Sequence, residues 1–297
     1  MIVPHLARLR NLLCVLLALL LSTSGSLASA EGDGITTSYG YAVYGNLKYP
    51  ENFQHLDYAN PNAPKGGTYH FANPGTYDSF NLYALTGTPP FAIIYAMDSL
   101  MTRSLDEPGS YYGLIAETIS YPKDLSWVEF KLRPEAHWSD GKPITVDDVL
   151  FTYNLFKTYH HPVFGRFASL IARAEQTGPH SIRFYLAEKN NPTALSSLAL
   201  LYVLPRHYWQ GRDISVPTLD PPPSSGPYKI GKFSPGRSID FVRDPNYWGR
   251  DLPINRGRFN FDVLRQDFYR DTAVINEAFL SGNIDLRLEM TATRWAF

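Results

Sequence analysis

A mixed α/β fold follows from three features of the sequence. Trp127-Val128-Glu129-Phe130-Lys131-Leu132 alternates large apolar and outward-facing residues as a half-buried strand does. Thr145 and Asp148 open a stretch with an apolar helical face, the spacing of a capped helix start. Toward the carboxyl end, strand-like and helix-like segments take turns, which is how helices come to pack on a sheet.

The 297 residues include 27 Lys+Arg and 28 Asp+Glu, a net charge of −1, with 44% hydrophobic and 14% aromatic residues and one Cys. This balance excludes a polybasic nucleic-acid binder, and a single thiol excludes a disulfide framework. So many aromatics also exclude a disordered chain.

Residues 1–30 read as an export signal. Arg8 and Arg10 precede the apolar run Leu12 to Leu21, and Ala28-Ser29-Ala30 offers small residues for cleavage. The run is too short for a stable bilayer-crossing helix, which needs about 20 residues. Cys14 lies inside it, so the exported product is expected to lack any thiol, and because no second apolar run approaches membrane-spanning length it is expected to be soluble.

Residues 31–66 are rich in Gly, Asn, Pro and Tyr and read as an irregular segment wrapping a domain that spans 67–297. That domain opens with a strand from Gly67 to Phe71, broken by Asn73-Pro74-Gly75, then a turn-rich stretch to Leu85 and a helix beginning near Pro90. Ala116 to Ser120 and Trp127 to Leu132 form a hairpin. The Thr145 helix ends near Lys157 to His160. A strand at Ile182 to Leu186 and a short helix at Pro192 to Leu200 follow, and Pro205 to Trp209 make a turn. Asp220 to Gly226, with three consecutive prolines, makes a stiff crossover. Tyr228 to Ile230, Ser238 to Arg243 and Phe261 to Tyr269 read as strands, Asp271 to Phe279 as a capped helix, and Ile284 to Leu288 as a last strand.

No catalytic motif stands out. The histidines are scattered apart from His160-His161, no HExxH or cysteine ligand set exists, and no glycine-rich phosphate loop is present. His137 has no nucleophile at useful spacing, while Asp140 in Ser139-Asp140-Gly141 and Asp148 already have turn and capping roles. No metal, cofactor or catalytic residue is expected. The open backbone beyond the first strand is where an extended ligand can pair, so Asn73, Gly75, Thr76, Tyr77 and Asn81 are candidate ligand-binding residues. The alternative is a loop that satisfies its own turns.

The block Trp127 to Pro134 followed by His137-Trp138-Ser139-Asp140-Gly141-Lys142-Pro143-Ile144-Thr145-Val146-Asp147-Asp148 strongly resembles the family 5 extracellular solute-binding proteins of ABC transporters. Ser225-Gly226-Pro227-Tyr228 and Arg243-Asp244-Pro245-Asn246-Tyr247-Trp248-Gly249 agree in order. Tyr44 to Pro50, Asn60 to Gly67 and Asp267 to Asp271 resemble the YejA-like branch, associated with import of peptides and peptide-like compounds including microcin C.

The resemblance covers nearly all of Tyr41 to Phe297 and implies a type II periplasmic-binding-protein-like α/β lobe with an inserted subdomain, one that stops before a second lobe is complete. It implies a monomeric periplasmic receptor that closes over a peptide and hands it to an inner-membrane ABC permease with a cytoplasmic ATPase. It supplies no residue for the ligand's amino terminus, because that acidic group belongs to the later portion of such proteins. Weak or absent binding by the short chain is expected. Alternatives are another solute (oligosaccharide, nickel chelate or opine), an exported hydrolase, or a truncated receptor without function.

Overall fold

The computed structural model describes residues 34–159, 161–289 and 292. The expected export signal, residues 1–30, lies outside them. In chain order the strands are β1 (Ile35–Ser38), β2 (Gly40–Ala42), β3 (Thr68–Pro74), β4 (Met101–Arg103), β5 (Ser110–Gly113), β6 (Ala116–Pro122), β7 (Trp127–Leu132), β8 (Ile171–Gly178), β9 (Ser181–Leu186), β10 (Tyr228–Ser234), β11 (Ser238–Arg243) and β12 (Val263–Tyr269). The α-helices are α1 (Val146–Thr158), α2 (Pro162–Ser169), α3 (Pro192–Ala199), α4 (Arg206–Trp209) and α5 (Thr272–Leu280), and Phe91–Ala96 form a 3₁₀ helix.

Three sheets result, ordered β1-β6-β7-β9-β8, β10-β11-β12-β3 and β2-β5-β4. The first is antiparallel throughout. Its alternation is the one written in the sequence: Val128, Phe130 and Leu132 of β7 are fully buried and join Val149, Tyr153 and Phe156 of α1 in the main core. Outward-facing Glu129 instead takes the Arg183 guanidinium of β9 at 2.9 Å. Asp148 Oδ2 accepts from both the backbone N–H and the hydroxyl of Thr145 at 2.9 Å, which closes the start of α1.

The four-stranded sheet positions the candidate site. β3 pairs in parallel with β12, Phe71 opposite Gln266 and Asn73 opposite Phe268, and lies at the sheet edge. One face of this sheet carries Leu264, Phe241 and Ile239 and packs on Ala92 and Ile93 of the 3₁₀ helix. The other side of β3 meets α5, where Ala72 and Tyr269 pack with Ile275 and Ala278.

Several expectations need correction. The strand expected to break at Asn73-Pro74-Gly75 runs through Pro74, since a proline at a strand's last residue forfeits little, and Gly75 then turns the chain at φ 95°. The helix near Pro90 is a single 3₁₀ segment closed by Ile93 N–H to Pro90 O at 3.1 Å and Met97 N–H to Ile94 O at 3.3 Å. Residues 31–66 are not wholly irregular: β1 extends the five-stranded sheet and β2 pairs with β5. The strand expected at Ile284 to Leu288 is reduced to one parallel bridge, Leu286 with Phe71. β8 escaped notice because its sequence, IARAEQTG, is polar, and a polar strand is tolerated at a sheet edge.

Candidate functional site

A cavity of about 750 Å³ runs along β3 from Tyr69 to Pro74. Successive residues of a strand point to opposite faces, yet Phe71, Ala72 and Asn73 all line it, so the cavity wraps the edge of β3. Its walls are largely aromatic. Tyr69 stacks on Phe71 at 5.5 Å between ring centres and on Phe261 at 5.3 Å, a three-ring run. Phe91 and Tyr95 of the 3₁₀ helix face the space as well.

Hydrogen bonds hold this wall. The Tyr228 hydroxyl donates to Phe261 O at 2.9 Å, fixing the backbone that carries the third ring. Burial raises the Tyr228 hydroxyl's pKa above its ordinary value, and burial followed by the proximity of Tyr95 and Asp285 does the same for Tyr69, so both stay neutral donors near pH 7. At one side, His70 N–H donates to Asp285 Oδ2 at 2.7 Å and Asp285 N–H to His70 O at 2.8 Å, which ties the segment before Leu286 to β3. Arg287 and Glu289 form an ion pair on the lining. At the other end, Asp271 Oδ1 accepts from Ala273 and Val274 N–H at 3.0 Å and caps α5 beside the lining residue Thr272.

Of the five residues picked from sequence, Asn73 lines this cavity. Gly75 and Thr76 are exposed just beyond β3, with Gly75 N–H bonded to Tyr269 O at 2.8 Å. Tyr77 is 1% exposed, its hydroxyl donates to Ser238 O at 2.8 Å, and burial pushes its pKa up to about 12. Asn81 is 2% exposed; Nδ2 donates to Ile214 O at 2.8 Å and Val216 O at 2.9 Å, and Oδ1 accepts from Tyr83 N–H. Both polar ends are therefore committed to holding the 77–83 loop. Sequence reasoning missed the aromatic wall. Tyr69 and Phe71 carried a usable signal, two aromatics on one face of an edge strand, whereas Phe261 did not reveal its neighbours.

Among the described residues, no group of three or more His, Cys, Asp or Glu is placed to hold a metal ion, and no helix is long and apolar enough to cross a membrane. What the arrangement offers is a large, walled, mostly apolar space with few polar groups at its margin, the makings of a ligand receptor.

The comparisons with known proteins agree with that class. The family model for bacterial extracellular solute-binding proteins, family 5 (Middle), matches residues 110–297. YejA of Escherichia coli (strain K12) is 44% identical over 282 residues, which cover 95% of this chain and 46% of that protein. The probable peptide-binding protein YejA of Agrobacterium fabrum is 37% identical over 297 residues, 98% of this chain and 48% of that protein. The oligopeptide-binding protein AppA of Bacillus subtilis, solved with a nonapeptide, superimposes with a TM-score of 0.63 at 22% identity, covering 75% of this chain and 44% of that one. The chain belongs to the family 5 solute-binding proteins and resembles its YejA-like members. It spans about half the length of the curated relatives it matches.

Proposed function

We propose that the chain forms a ligand-cradling lobe of a periplasmic receptor that captures peptides or peptide-like compounds for an inner-membrane ABC permease and its ATPase, acting as a monomer and catalysing no reaction. The observation that carries this reading is the cavity wrapped around the edge of β3. The Asp285–Leu286 segment already occupies the middle of the β3 edge, so the space itself rather than a free strand ladder is what the site offers: the Tyr69, Phe71 and Phe261 rings accept apolar side chains without demanding a particular one, and a few polar groups at the margin can meet a peptide backbone. The name of the Agrobacterium relative and the nonapeptide held by AppA support the same ligand class.

Calorimetric titration of the chain with mixed short peptides tests the reading, with mass spectrometry of the peptides afterwards. Weak but saturable heat with the peptides recovered intact is expected, and Phe71→Ala lowers the affinity by a further factor of about ten, the scale of one lost aromatic contact. Cleaved peptides contradict a pure receptor; heat unchanged by Phe71→Ala contradicts the location.

A further inference from the structure

Behind the cavity wall lies a relay of amides. Gln266 of β12 is 0% exposed. Its Oε1 accepts from Ala92 N–H at 3.1 Å, and its Nε2 donates to Asn73 Oδ1 at 2.9 Å. The two ends of an amide side chain look alike in shape, so their orientation has to be inferred from partners. Here one partner leaves no choice. A backbone N–H can only donate, so the Gln266 atom facing Ala92 is the oxygen. Gln266 must then present its NH₂ to Asn73, and the Asn73 atom facing Gln266 must be its oxygen. Asn73 lines the cavity, and among the described residues no hydrogen bond engages its Nδ2.

We propose that Gln266 locks Asn73 with its Nδ2 donor turned to the cavity, where it takes a carbonyl or carboxylate oxygen of the bound ligand. Gln266 touches no ligand and acts as a positioning residue, while Asn73 is the contact. The idea rests on the cavity being the peptide site. It adds a polarity to that site: at the Asn73 position the ligand must offer an acceptor, as a peptide C=O does and a peptide N–H does not. The direction is rigid because the relay ends on the backbone of the 3₁₀ helix. Flipping Asn73 alone would set two NH₂ groups against each other, and flipping both would set Gln266 NH₂ against Ala92 N–H inside the core.

Gln266→Glu is the sharp test, because it keeps shape and reverses the relay. The ionised carboxylate it introduces still accepts from Ala92 N–H but cannot donate, so Asn73 turns its NH₂ inward and shows its oxygen to the ligand. Peptide affinity should fall about tenfold, the worth of one hydrogen bond exchanged for an acceptor–acceptor clash. It should recover as the pH is lowered, since the same carboxyl group donates again once protonated. Protonation would also relieve a defect caused by burying the charge, so the circular dichroism of the variant must match that of the wild type at both pH values for the loss to count as a reversed relay. Asn73→Asp, at a partly exposed position, covers the case in which Gln266→Glu fails to fold: its carboxylate keeps the bond from Gln266 and presents only acceptors, with the same expected loss.

The second readout needs no ligand. In the free protein, NMR should show a coupling across the hydrogen bond from Gln266 Nε2 to the Asn73 Cγ carbonyl, the sense in which Gln266 donates. A coupling in the opposite sense, from Asn73 Nδ2 to the Gln266 Cδ carbonyl, or equal affinity of wild type and both variants, overturns the proposal. If no peptide binds the wild-type chain, the peptide reading fails, and the coupling still decides the orientation of Asn73.

Discussion

Asp98 is 4% exposed, and its Oδ2 accepts a 2.8 Å bond from the Tyr247 hydroxyl, which itself accepts from Asn255 Nδ2 at 3.1 Å. Burial raises its pKa to about 8, against the smaller lowering effects of Tyr247, Arg258 and Trp248. Tyr247 is held well above its ordinary value, first by burial and then by Asp98, so it remains the donor of the pair. Tyr202 also faces this carboxyl, and its own pKa rises chiefly through burial and secondarily through Asp98. The folded state thus keeps the Asp98 proton that an unfolded chain gives up near pH ~4. The stabilisation is complete below that point and drains away as the pH climbs toward 8, by an amount on the order of a few kcal/mol. Asp98→Asn retains an acceptor for Tyr247 and cannot ionise. Urea denaturation at about pH 5 and about pH 8 is expected to show a fall in stability for wild type and a much flatter response for the variant. Parallel responses would mean that Asp98 does not carry the slope.

At the scale of elements, the Thr145 to Asp148 start of α1 was legible because capping is local, four residues in a row. The other half of Asp148's role was not. Its Oδ1 accepts from Arg206 N–H at 2.9 Å, joining the start of α1 to that of α4 across 58 positions of sequence. Asp148→Ala therefore removes a cap and also strands the Arg206 donor. A loss of about 2–4 kcal/mol is expected by chemical denaturation, larger than the ~1 kcal/mol of a surface cap. A loss no greater than that of a surface cap would show the α4 bond to be idle. The motifs Ser225-Gly226-Pro227-Tyr228 and Tyr247-Trp248 acquire a physical meaning in the same way. Ser225 Oγ accepts Asp98 N–H at 2.7 Å, Trp248 Nε1 donates to Ser225 O at 3.0 Å, and a Cβ on Gly226 would sit 2.6 Å from Tyr95 O. The glycine is there because two backbones touch. Sequence order displays both motifs, but only the fold shows that they brace each other beneath the 3₁₀ helix.

Across the whole molecule, the fold class and the β6–β7 hairpin could be read from alternation and turn chemistry, whereas sheet order could not. β1 joins β6, and β3 joins β12, through pairings that no local pattern records. The site suffered the same blindness more severely. Asn73 was found because it ends a strand, yet its partner Gln266, the Ala92 N–H that orients Gln266, and the Phe261 ring that completes the aromatic wall come from distant parts of the chain. The open loop beyond β3 looked like a ligand surface; in the structure the space lies beside the strand, and Tyr77 and Asn81 face inward to support it. The central claim is that the cavity along β3 is where a peptide sits. The most direct measurement is an NMR titration of the isotope-labelled chain with a pool of short peptides, which detects even weak binding. Saturable shifts should concentrate at Tyr69 to Pro74, Phe91, Tyr95 and Phe261, with the Asn73 side-chain amide among the largest. Shifts that cluster elsewhere, or a spectrum indifferent to every peptide, would contradict the account.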